Sequence, residues 1–124
     1  MLKRLTAIII PTLALASIAP AALATEHLSG TYETKIAKPA SVKGLWRVKF
    51  TSGSDTVSLN GRPLIHGHYT ISKSTITLKS HGTGACTSPG KYTFTLSGKT
   101  LKFTKISDPC PGRPEVLAHP FTKV

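Results

Sequence analysis

Histidines and carboxylates are the groups in this 124-residue chain that could hold a metal or move a proton, and there are five of each. His66-Gly67-His68 puts two imidazoles two residues apart, and alternate residues of a strand share a face. His81 follows one strand later. Imidazoles gathered on neighbouring strands are the beginning of a Zn²⁺ or Cu²⁺ site. No carboxylate or thiol stands near them in sequence to complete a tetrahedral set, so His66, His68 and His81 are expected to be metal-free surface residues. The acids are Glu26, Glu33, Asp55, Asp108 and Glu115. Only Asp108 and Glu115 lie close together, and paired carboxylates for glycoside hydrolysis are absent as a cluster. Asp108 is better placed to pair with Arg113 across the cysteine loop, a structural role. Serines are plentiful, but none sits in Gly-x-Ser-x-Gly. The expectation is a protein with no catalytic residues, no metal and no cofactor.

The remaining reactive pair is Cys86 and Cys110, each twelve residues from Gly98. Between them Tyr92, Phe94 and Leu96 alternate with polar residues, Ser97-Gly98-Lys99 breaks the run, and Leu101 and Phe103 resume it. Period-two runs around a short glycine-bearing turn predict a β-hairpin. Folding it at Gly98 brings the two cysteines opposite one another, where a disulfide closes without backbone strain. The loop is worth roughly 3 kcal/mol by the chain-entropy account.

Residues 1–24 read as a signal peptide. Lys3 and Arg4 open it, an apolar run interrupted by Pro11 follows, and Ala22-Leu23-Ala24 supplies the small residues of a cleavage site. The run is short of the ~20 residues that a membrane span needs. No cysteine follows the cleavage site, which argues against a lipoprotein. Residues 25–124 are then one domain in an oxidising compartment, secreted or held in the cell envelope, where a disulfide persists. Removing Lys3 and Arg4 leaves fourteen basic residues against five acids, a net charge of +9. That balance favours an anionic cell-envelope surface, phospholipid or wall polymer, as a partner. The lysines are scattered singly, however, as on solvated strand faces and protected edges. Aromatic rings alternating with lysines should face inward, which argues against nucleic acid. A monomer is expected.

Along the chain, strands are expected at 30–36, 44–50, 56–59, 64–71 and 75–79, then the two arms of the clasped hairpin, with 119–124 as a candidate last strand. The turn before the third is placed at 51–55, Asn60-Gly61 marks the next, and Pro63 should stand outside the ladder. No helical periodicity exceeds one turn. Glycine, any residue, then an aromatic recurs at Gly30, Gly44, Gly67 and Gly90. A glycine two before an inward ring leaves room for it and lets a small sheet curl. Seven or eight short strands with tight turns predict an all-β fold, a small antiparallel up-and-down barrel or a compact sandwich. The inward faces comprise Tyr32, Trp46, Val48, Phe50, Val57, Leu59, Tyr69, Ile71, Ile76, Leu78, Tyr92, Phe94, Leu96, Leu101 and Phe103. An eight-stranded barrel is just wide enough to be filled by such side chains or to hold one small ligand.

Gly44-Leu-Trp46 in an exported β-meander resembles the lipocalin and wider calycin signature, and Cys86…Tyr92…Asp108-x-Cys110-x-x-Arg113 resembles small exported bacterial proteins of lipocalin-like type. The resemblance implies a calycin-type barrel in which a late arginine, here Arg113, packs over Trp46. It also implies a small hydrophobic or amphipathic ligand, lined by Trp46, Phe50, Tyr69, Tyr92, Phe94 and Phe103, with the tyrosine hydroxyls accepting a polar head. Gly44, Asp108 and Arg113 would be structural. The alternative is a small inhibitor or adhesion module with a filled barrel, acting through loops Ser80–Ala85 and Pro109–Pro114.

Overall fold

Alternation of apolar and polar residues runs through almost every segment, and the chain answers it with strands that each bury one face. The computed structural model describes residues 28–82 and 85–124, and the expected signal segment 1–24 lies outside the described residues. The strands are β1 (Gly30–Ile36), β2 (Gly44–Thr51), β3 (Ser54–Leu59), β4 (Arg62–Ser72), β5 (Thr75–His81), β6 (Gly90–Ser97), β7 (Thr100–Ser107) and β8 (Phe121–Lys123). A 3₁₀ turn, Ala40–Val42, joins β1 to β2, and a short helix α1 (Arg113–Leu117) precedes β8. The strands follow one another in chain order, each antiparallel to the next, into a closed up-and-down barrel.

Closure depends on the three-residue β8. It pairs with β7 through Leu101↔Phe121 and with β1 through Glu33↔Thr122. Phe121 is wholly buried and packs edge-on against Phe103, centroids 6.0 Å apart. So short a strand has few ladder bonds, and the buried ring supplies the apolar anchorage they lack.

Tight turns set the register. Asn60 and Gly61 both take left-handed φ, 52° and 83°, between the paired Leu59 and Arg62. That is the two-residue turn whose twist suits a hairpin. Gly98 plays the same part between Ser97 and Thr100 (φ 60°). Two bulges bend the wall. The β3–β4 ladder passes from Val57↔Ile65 to Ser58↔Pro63 and skips Leu64. The β6–β7 ladder passes from Lys91↔Ser107 to Tyr92↔Lys105 and skips Ile106. Both skipped residues are exposed, at 50% and 52%.

Three expectations need correction. Pro63 lies within β4, because the bulge beside it absorbs the missing N–H. Leu96 is exposed because the β5–β6 ladder ends at Thr75↔Thr93 and leaves it no neighbour on that side, whereas its partner Leu101 is flanked by Phe121 of β8 and is buried. Asp55 belongs to no turn: only Ser52 and Gly53 turn the chain, and Asp55 is an inward residue of β3, 7% exposed. The other predicted inward residues are buried or, for Val57, Leu59 and Ile71, pack half-buried against the core. Leu28, Ile36, Val42, Val116, Leu117 and Phe121 complete it.

Cys86 and Cys110 form the disulfide, Cα atoms 5.8 Å apart, beyond the ends of β6 and β7. Replacing both by serine is expected to lower the unfolding free energy by about 3 kcal/mol, as read from urea unfolding. An unchanged midpoint would show that this loop closure contributes nothing.

Candidate functional site

The barrel is not filled from end to end. A cavity of about 320 Å³ occupies one half, walled by Trp46, Val48, Phe50, Val57, Leu59, Ile65, Leu78 and Phe103. Its outer boundary is made by Ser41 and Val42 of the 3₁₀ turn and by Pro111, Gly112, Val116 and Leu117 around α1. Arg113, Ser80 and Asp55 are its charged and polar lining on the barrel side. Period two explains the wall on β3: Leu59, Val57 and Asp55 point the same way, and their partners Trp46, Val48 and Phe50 do so on β2.

The other half is solid. Phe50 packs edge-on against Tyr69 at 5.4 Å and Tyr32 at 6.0 Å, so the ring that ends the cavity also begins the packed core. Tyr69 is held by its hydroxyl, which donates to the Leu28 carbonyl (2.8 Å) and accepts from the Leu28 N–H (3.0 Å). Of the six residues expected to line a pocket, Trp46, Phe50 and Phe103 do so, while Tyr69, Tyr92 and Phe94 belong to the surrounding core. The Tyr69 and Tyr92 hydroxyls are occupied by the chain itself and do not serve as the polar end of the cavity.

Above the wall a polar knot holds α1 in place. Asp108, with a fully buried side chain, takes a bidentate pair from Arg113: Nε to Oδ2 at 2.6 Å and Nη2 to Oδ1 at 2.9 Å. It also accepts the Cys110 N–H at 2.9 Å and the Tyr92 hydroxyl. Arg113 donates further to the Ser88 carbonyl (2.6 Å) and the Ser80 hydroxyl (3.3 Å). Burial alone would raise the Asp108 pKa, but the hydrogen bonds from Arg113, Tyr92 and Cys110 outweigh it and hold the carboxyl below its ordinary value. Tyr92 is pushed far up by burial and by its bond to that carboxylate.

Arg113 does not stack on the tryptophan. Its guanidinium is committed to Asp108, and the cation–ring contact among the described residues is Lys123 over Tyr32, at 6.0 Å. Trp46 is fixed instead by its indole N–H, which donates to the Val42 carbonyl at 2.7 Å. The two residues nonetheless share the cavity lining.

At three of the four Gly-x-aromatic glycines the atoms that crowd the bare Cα are not those of the ring two residues on. A Cβ at Gly90 would lie 2.5 Å from Asp108 Oδ2, and one at Gly67 would lie 3.1 Å from Asp55 Oδ1 and 2.6 Å from the Lys79 carbonyl. At Gly44 it would meet Leu59 Cδ1 at 2.7 Å. These glycines clear space for side chains reaching from neighbouring segments, and twice that side chain is a carboxylate.

Asp55 has no counterpart to the Asp108 knot. Its Oδ2 is buried without a hydrogen-bond partner among the described residues. Desolvation raises its pKa, against the opposing charge of His68, Arg113, His81 and His66. The sequence shows the signal that places it, since Asp55, Val57 and Leu59 alternate with Ser54, Thr56 and Ser58.

The histidines lie on the outer face of β4 and β5. His68 Nδ1 and His81 Nε2 are 2.5 Å apart, and His66 Nδ1 is 3.4 Å from the Thr56 hydroxyl. No group of three or more potential ligands poised for a metal occurs among the described residues. Comparison with family models, with curated proteins and with solved structures finds no match for this chain.

Arg113→Met would leave Asp108 buried and unpaired. Its expected cost at neutral pH is about 3 kcal/mol, the low end for breaking a buried pair, because Arg113 is still 14% exposed. The Asp108 contribution is present above the unfolded carboxylate pKa of about 3.9 and is lost as pH falls through the lower folded value. The difference between variant and native chain should therefore shrink in acid, measured by urea unfolding across pH.

Proposed function

We propose that this protein is an exported, non-enzymatic binding protein, lipocalin-like in kind, whose barrel takes one small hydrophobic or amphipathic molecule. The observation that carries the reading is the apolar cavity of about 320 Å³ behind Trp46, Phe50 and Phe103. Small-molecule sites are mostly apolar, begin at about this size, and carry few polar groups. Leaving such a space unfilled forfeits packing contacts that a buried core would otherwise make. The lipocalin likeness carries less weight in this reading than the cavity. Gly44-Leu-Trp46 opens β2, and Gly30-Thr-Tyr32 takes the first strand.

The setting proposed for this activity is the cell envelope or the medium, in a monomer whose disulfide braces the cavity end. The excess of lysine and arginine on the outer faces of the strands would hold the protein near anionic envelope surfaces. Nucleic acid is not the proposed partner, since the rings that would stack on bases are turned into the barrel. A filled barrel acting through its loops is the weaker alternative, because the Pro109–Pro114 segment bounds a cavity.

Trp46 is the sole tryptophan of the chain and stands on the cavity wall, so it reports occupancy directly. Titration with medium-chain alcohols should change its fluorescence saturably, with one equivalent retained in native mass spectrometry. Val57→Phe, which fills the space, should weaken binding by about tenfold or more while the fold persists. If no apolar ligand of suitable size binds, the reading is wrong.

A further inference from the structure

The geometry points to Asp55 as the acceptor for a protonated amine, carried by a ligand whose apolar body fills the barrel cavity. The inference deepens the binding reading above and rests on it. Asp55 is 7% exposed, lines the cavity and has a buried Oδ2 with no partner among the described residues. A buried carboxylate oxygen without a donor is costly, and native chains seldom keep one without a use for it.

The chain itself contains the control. Asp108 and Asp55 occupy the same kind of niche, each against the bare Cα of a glycine in a Gly-x-Tyr segment. Around Asp108 the protein supplies a guanidinium, a phenol and a backbone N–H. Around Asp55 it supplies none of these. Arg113 lines the same cavity but both of its short bonds to a carboxylate go to Asp108. The guanidinium is thus committed to Asp108, and Asp55 meets the cavity with an Oδ2 that no donor reaches among the described residues, while the charges of His68, His81 and His66 act on it from the outer face of β4 and β5.

Position selects the rest of the ligand. Val57 and Leu59 follow Asp55 along the same face of β3, so an apolar body lies against them as the head meets the carboxylate. Ser80, paired across β4–β5 with Gly67, offers a hydroxyl beside that niche. A protonated amine donates up to three hydrogen bonds, and bonds between charged partners are roughly twice as strong as neutral ones. A carboxylate head would meet like charge there. At water's share of ~30 Å³ per oxygen, the space takes roughly ten non-hydrogen atoms, the size of an eight-carbon amine.

The test compares n-octylamine, n-octanol and n-octanoate, titrated by Trp46 fluorescence against the native chain, Asp55→Asn and Asp55→Leu. The native protein should bind octylamine about tenfold or more tighter than octanol, and octanoate most weakly. Both variants should lose the preference for the amine while still binding octanol. Asp55→Asn should also melt higher than the native chain at neutral pH. A raised folded pKa means that the native stability contribution is present below the unfolded pKa and is lost as pH rises, so the gain should vanish in acid. Equal affinity for amine and alcohol in the native chain, or a preference that survives at Asp55→Asn, overturns the assignment and leaves the cavity reading standing. Failure of all three probes to bind the native protein overturns both. Should Asp55→Leu fail to fold, the native comparison and Asp55→Asn still decide.

Discussion

The bidentate pairing of Arg113 with Asp108 is the constraint on which the cavity end of this barrel depends. One carboxylate, fully withdrawn from water, gathers a guanidinium from α1, a phenol from β6 and the N–H of a disulfide cysteine. Through Ser80 and the Ser88 carbonyl the same guanidinium reaches β5 and the loop before β6. A helix of five residues has no stability of its own. It keeps its place over the cavity because Arg113 is tied at its first position, while Val116 and Leu117 bury apolar surface at its end. Such a knot stabilises because every partner is present; with any one removed, the buried charge that remains is costly.

Against that satisfied group, the unsatisfied one acquires meaning. The two aspartates share a setting, a neighbouring glycine and a tyrosine two residues on, yet burial drives the carboxyl of Asp55 up while donors hold that of Asp108 down. One carboxyl is tied down by donors from its own chain, and the other is buried with an Oδ2 that none reaches among the described residues. Binding sites are where groups of the second kind collect.

The barrel divides its length between these tasks. Around Tyr32, Phe50 and Tyr69 the rings meet edge to edge and the interior is solid. Phe121 anchors the last short strand by packing edge-on against Phe103, which itself stands on the cavity wall. The solid half supplies the apolar burial from which a domain of this size takes its stability. The other half, clasped by the disulfide and by Arg113, can then leave space behind Trp46 without collapsing. Covalent and ionic bracing stand where side-chain packing is missing.

How much of this was written in the sequence follows from the range of the interactions. Period-two alternation, Asn60-Gly61 and Gly98 are local signals, and they determined an antiparallel meander with its turns, its inward rings and its outward histidines and lysines. The symmetric placing of Cys86 and Cys110 about Gly98 was enough to determine their bond, because a hairpin is itself local. The pairing of Asp108 with Arg113 spans five residues and was legible for the same reason. Closure by β8, the division into solid and hollow halves, and the commitment of Arg113 away from Trp46 were decided only in three dimensions. Each depends on which side chain from a distant strand arrives at a given niche. Asp55 shows the limit most clearly: alternation with Val57 and Leu59 is enough to turn it inward, but that no donor awaits it there is a property of the whole barrel.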